Sequence, residues 1–167
     1  MSVIRTLFSI MLLKQGPQDL VFSRSLLQLL VIAYVASGVL VLQGSIEPGE
    51  ALANMVLDVL VIVFYTRIVL HSLHKPARFV QTASAMVGVG VVFHLLAWPA
   101  LAVPPADGEQ SLSTTASLAM LLLMSWNLLV VAHIFRHALA SGMSHAMLLS
   151  FALFFLSIAL SRMVFSG

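Results

Sequence analysis

Residues 50–78, Glu50-ALANMVLDVLVIVFYTRIVLHSLHKPA-Arg78, decide the fold. The stretch opens on an acidic turn and crosses roughly twenty mostly apolar residues, the length a bilayer core demands. Asn54 and Asp58 interrupt the apolar run, and Arg67, His71, His74, Lys75 and Arg78 close it as a basic cluster. Because Lys and Arg are retained in the cytoplasm, acid before and base after make this a membrane crossing of fixed direction.

The rest of the chain follows from it. Of 167 residues, 60% are hydrophobic and 8% charged, too little charge to cover a water-soluble domain. Lipid is therefore the expected solvent and first partner. A net charge of +2, spread along the chain rather than gathered on one face, argues against nucleic acid as a partner. With no Cys at all, disulfides, thiolate metal sites and Cys nucleophiles are excluded.

Met1–Leu13 places Val3, Ile4, Leu7, Phe8, Met11 and Leu12 on one helical stripe, with Ser2, Arg5, Thr6 and Ser9 opposite. Residues 1–14 are too short to span, and are expected as an in-plane amphipathic helix at the headgroup boundary. Residues 15–24 form a linker punctuated by Gly16-Pro17. Residues 25–164 then form a single transmembrane domain with spans at about 25–43, 51–70, 79–98, 116–135 and 143–161. Pro76 is expected to stop the second span and Pro99 to end or kink the third. Pro104-Pro105, Asp107 and Glu109 mark an exposed loop, and Ser141-Gly142 a short last turn. With the N-terminus inside, Arg5, Lys14, Arg24, Arg67, Lys75, Arg78 and Arg136 all lie on the cytoplasmic side as surface anchors, and only Arg162 lies outside. The prediction is an all-α integral membrane protein: a five-helix bundle with an interfacial N-terminal helix, N-in and C-out.

Ionisable groups inside such spans normally face protein or water. Asp58 is the one acid inside a span, and Glu50, Asn54, Asp58 and Tyr65 share a helical face that should point inward. Asp58 lies about 18 Å, and His94 about 22 Å, from the basic side at 1.5 Å per residue. Those depths allow them to meet as a proton-relay pair extended by Asn127, in a layer with Asn54. The competing reading is that Asp58 hydrogen-bonds Asn54, a backbone carbonyl or a neighbouring helix and only fixes packing.

A second layer comprises His71 and His74, His133 and His137, and His145. Pairs at i, i+3 and i, i+4 present two imidazoles to one metal, or supply axial ligands to a haem. Against that, a helix C-terminus favours histidine through its dipole alone. No cofactor is predicted from composition; metal or haem rests on this layer only. Small residues Ser84, Gly88 and Gly90 in the third span, and Ala33, Ser37 and Gly38 in the first, suit close helix contact. Trp126 is expected to be a packing residue.

Five short-looped spans with this orientation resemble the Yip (Ypt/Rab-GTPase-interacting) membrane-protein family and its bacterial relatives. Gly16-Pro17-Gln18-Asp19-Leu20 and Arg78-Phe79-Val80-Gln81-Thr82 are similar to segments of small proteobacterial inner-membrane proteins. The long cytoplasmic N-terminal region of eukaryotic Yip proteins is missing, so their trafficking partners do not carry over. The resemblance implies a non-enzymatic bacterial inner-membrane scaffold, a homo-oligomer or a subunit of a larger complex. The alternatives are a small proton- or metal-coupled transporter or channel component using Asp58 and His94, and a haem or metal protein built on the histidines.

Overall fold

The computed structural model describes residues 2–43, 45–101 and 114–165. The loop expected around Pro104-Pro105, Asp107 and Glu109 lies outside them. Six α-helices follow in order: α1 (Val3–Met11), α2 (Arg24–Leu42), α3 (Pro48–Ser72), α4 (Phe79–Leu101), α5 (Thr114–Leu139) and α6 (Met143–Phe165). Short 3₁₀ turns at Pro17–Asp19 and Pro76–Arg78 precede α2 and α4. Five of the helices, α2 to α6, are long and apolar enough to cross a membrane.

The spans run longer than expected at several ends. α5 continues to Leu139, a full turn past the anticipated end at 135, and α6 reaches Phe165. Pro99 does not end α4, which carries it inside its last turn and continues to Leu101. Pro76 does not stop α3 either: that helix ends at Ser72, ahead of the proline.

The physical stop is the same at three helix ends. Leu13, His74 and Ala140 each adopt positive φ, at 60°, 57° and 50°. After α3, the His74 N–H donates to the His71 carbonyl and the Lys75 N–H to the Leu70 carbonyl. After α5, Ala140 and Ser141 repeat this on His137 and Arg136, and after α1, Leu13 and Lys14 repeat it on Ile10 and Ser9. These are Schellman closures, which return free C-terminal carbonyls to hydrogen bonding. Glycine usually occupies that left-handed position, and a side chain there costs about 1–2 kcal/mol.

α4 is the central helix. Val80 and every residue from Thr82 to Val89 are buried, whereas α6 buries only Ala146, Ser150 and Leu153. In lipid, apolar side chains gain nothing by leaving the solvent, so helices associate through close packing and hydrogen bonds. The span richest in Ala, Ser, Thr and Gly admits neighbours on all sides and takes the centre. Its main partner is α2, while α5, α3 and α1 complete the ring and α6 packs on α5 and α3.

Side-chain hydrogen bonds stitch the ring. Tyr65 Oη on α3 donates to the Leu149 carbonyl of α6 at 3.0 Å, and Ser150 Oγ to the Leu128 carbonyl of α5 at 2.8 Å. Thr66 Oγ1 donates to Met86 Sδ at 3.1 Å, joining α3 to α4.

α1 is a packed element rather than a free surface helix. Thr6, Leu7, Ile10 and Met11 are buried, and a Cβ on Gly88 would meet the Leu7 side chain. Gly88 lies nine residues from Phe79, about 14 Å along α4. The expected single stripe is split: Leu7 is 5% exposed, while Ile4 on the other side is 68% exposed. Trp126 Nε1 donates to the Met11 carbonyl at 3.0 Å, and its ring meets Phe93 edge-on at 5.4 Å. Gln81 Nε2 donates to the carbonyls of Gln18 and Leu20 at 3.2 and 2.7 Å. Side chains of α4 and α5 thus satisfy the non-helical backbone between α1 and α2, as backbone shielded from water requires.

Candidate functional site

Asp58 lies on α3, where it faces Tyr34 of α2 across a gap left by glycine. The Tyr34 hydroxyl donates to Asp58 Oδ2. The ring fits because Gly90 on α4 has no Cβ; one added there would run into the Tyr34 ring. Gly38 makes the corresponding room for Met55 and the His94 imidazole.

The Tyr34 and His94 ring centroids are 4.6 Å apart. Ser37, one turn along α2, donates Oγ–H to the Tyr34 carbonyl at 3.1 Å and lies 3.0 Å from His94 Nδ1. With the single hydroxyl hydrogen committed to the carbonyl, Nδ1–H is the donor to Ser37 and Nε2 carries the free lone pair. Asp58 and His94 thus share no direct hydrogen bond: the acid is bonded to Tyr34 and the imidazole to Ser37. The two depths differ by about 4 Å, most of a helical turn. Tyr34 fills that step, bonding to the acid and packing its ring on the imidazole.

Above this cluster the helices part. A cavity of roughly 480 Å³ opens among α3, α5 and α6, lined by Asp58, Asn54, Asn127 and Arg162 among others. This is within the size range of small-ligand sites. Its walls include Met86, Leu153 and Phe154, so an apolar chamber carries a few polar groups. Ser161 Oγ donates to Asn54 Oδ1 at 2.7 Å, tying α6 to α3 beside Arg162. Among the described residues, no Lys, Arg or His forms an ion pair with Asp58. The expected layer of Asn54, Asp58 and Asn127 does converge on one space, but His94 sits behind Tyr34 and does not line it.

Of the second layer, His133 and His137 come together. His71, His74 and His145 are exposed, while His133 is 6% exposed. His133 Nε2 lies 3.0 Å from the Gln15 carbonyl; since a carbonyl only accepts, that nitrogen carries the hydrogen. The His137 ring packs on it at 4.4 Å. Among the described residues no three His, Asp or Glu side chains come together as a metal-binding group. His133 serves the N-terminal segment, and His74 the α3 closure.

Two cations expected as surface anchors also bond to the end of α5. Lys75 Nζ donates to the Leu139 carbonyl, and Arg78 to the carbonyls of His137 and Ala138 at 3.2 and 2.8 Å. They cap α5, where cations suit the negative end of the dipole. Arg67 lies over the Phe79 ring at 5.5 Å, a cation–π contact. Arg5, Lys14, Arg24 and Arg136 are exposed.

Sequence reasoning missed Tyr34. The available signal was a mid-span tyrosine three residues before Ser37 and four before Gly38: a buried phenol seeks a hydrogen-bond partner, and small neighbours admit one. Comparison with protein-family models, curated proteins and solved structures gave no match to this chain.

Proposed function

We propose that this chain is a small proton-coupled membrane transporter or channel component whose coupling group is Asp58. One observation carries the reading: a carboxylate opens onto a cavity inside the bundle, held by a tyrosine hydroxyl and lacking a protein cation. Such a group in a membrane interior meets its charge with a proton or a cationic solute, and intramembrane acids commonly mark such pathways. His94, reached through Tyr34, is the adjacent proton acceptor.

The orientation that fits is N-in and C-out, in a bacterial inner membrane. The linker, the α3–α4 turn and the α5–α6 turn cluster at one end, carrying most of the cations. The cavity mouth, with Arg162, then opens outward. α1 belongs in the cytoplasmic leaflet, below headgroup level, with Ile4, Phe8 and Leu12 toward acyl chains.

The test is reconstitution into liposomes loaded with a pH-sensitive dye. The native protein is expected to collapse an imposed pH gradient several-fold faster than the Asp58→Asn variant; equal rates would end the transport reading.

A second reading, a scaffold like that implied by the Yip resemblance, is favoured by α6. That helix buries one narrow stripe and leaves the rest of its surface available to a second copy or another membrane subunit. It predicts a stoichiometric partner on purification in mild detergent, and full function for Asp58→Asn.

A further inference from the structure

The cavity carries opposite charges at different depths. Asp58 lies in α3 one turn beyond Asn54, and Asn54 is bonded at 2.7 Å to Ser161, the residue before Arg162. The carboxylate and the base of the arginine are thus separated by five residues of helical rise along the bundle, about 7 Å. Neither forms an ion pair among the described residues. Between them in depth lie apolar Met55 of α3 and Ile158 of α6, with Leu153, Phe154 and Asn127 deeper than the carboxylate.

We propose that the cavity binds a small amphipathic zwitterion, its ammonium on Asp58 and its anionic end on Arg162. This deepens the transport reading by naming its substrate class. A simple organic cation satisfies the acid and leaves the arginine unused. A simple anion reaches the arginine but places no charge against the acid. Only a ligand bearing both charges, joined by a short apolar body, matches the carboxylate, the Met55 and Ile158 walls and the arginine in that order. Tyr34 holds Asp58 Oδ2, which leaves Oδ1 to receive an ammonium. Neither Arg162 nor Asp58 moves far to engage, because Ser161 and Tyr34 tie their helices together. The arginine also disfavours a second positive end, so a diamine is rejected by like-charge repulsion at the mouth.

The test uses the full chain in phosphatidylcholine nanodiscs with three probes of one length: ε-aminocaproate, hexylamine and caproate. Binding is read by saturation-transfer NMR, with empty nanodiscs subtracted. The expected order is ε-aminocaproate tightest, hexylamine weaker and caproate weakest. Arg162→Gln should cost ε-aminocaproate about tenfold while sparing hexylamine, because one charge-assisted contact is removed. Asp58→Asn should weaken both amines by a similar factor; the Asn side chain still accepts from Tyr34, so the helices stay joined. Arg162→Lys should restore part of the lost affinity.

Equal binding of hexylamine and ε-aminocaproate, or an Arg162→Gln variant indistinguishable from native, would overturn the zwitterion. So would failure of all three probes to bind. Proton flux that depends on Asp58 would survive either result and keep the transport reading. Conversely, selective ε-aminocaproate binding with flux independent of Asp58 would leave a ligand site and remove the transporter.

Discussion

At the scale of single residues, the molecule turns on one hydroxyl and one missing methyl. Tyr34→Phe keeps the ring between α2 and α4 but removes the donor to Asp58. A buried hydrogen bond to a carboxyl group contributes about 1–3 kcal/mol, so the variant should lose stability in that range. Thermal unfolding in detergent measures the loss; none would mean the bond does not hold the site. Gly90→Ala drives a Cβ into the same ring and should cost about 1–3 kcal/mol as overpacking. Gly49→Ala is the matched control. Nothing lies within 4 Å of the new methyl, and the position is in the first turn of α3. Removing backbone freedom there should leave stability unchanged or raise it by about 0.4–1 kcal/mol. Asp58 and its depth were legible from one apolar run and a ruler. Its partner was not, because neither periodicity nor spacing says which neighbouring helix presents an aromatic at that level.

At the scale of elements, the helix ends are where local chemistry and tertiary demand disagree. Ala140 sits left-handed after α5 although no glycine stands there. Ala140→Gly relieves about 1–2 kcal/mol of backbone strain against some added freedom in the unfolded chain. The net expectation is a stabilisation of about 0.5–1 kcal/mol, read as a raised melting temperature; a lowered one would refute the strained closure. Lys75 and Arg78 cap the same helix from the α3–α4 turn. Replacing both with Ala should cost about 1–2 kcal/mol, since each serves the final turn. α1 depends on α5 in a similar way. Trp126→Phe retains the contact with Phe93 but deletes the donor to the Met11 carbonyl, so amide exchange in residues 9–15 should rise several-fold while α2 to α6 keep their protection. Uniform loosening would mean that Trp126 is a general packing residue, as composition alone suggested. The two-sided burial of α1 escaped the sequence reading because Ile4 and Leu7 belong to one stripe in projection, and only the crevice between α4 and α5 divides them.

For the whole molecule, the testable quantity is the direction of crossing. Seven of eight Lys and Arg residues fall at one end of the bundle on this reading. A reporter fused after Gly167 should therefore register outside, and one before Met1 inside. A cytoplasmic C-terminus would turn the cavity mouth inward and undo both the coupling direction and the ligand order proposed for it. The bundle also explains how the histidines are divided. His71 and His74 leave α3 toward solvent, whereas His133 and His137 turn toward the N-terminal segment. Proximity to a common membrane face did not bring the two pairs together.

The amino-acid order alone determined the solvent, the number of long apolar helices and their approximate limits. Those properties follow from hydrophobic length and from where charge is tolerated, and both are local along the chain. Which helix occupies the centre, which tyrosine meets Asp58 and how the N-terminal segment is seated were decided only in three dimensions. In lipid no gradient of hydrophobicity sorts one helix face from another, so side-chain size and hydrogen-bond geometry between distant segments make the selection.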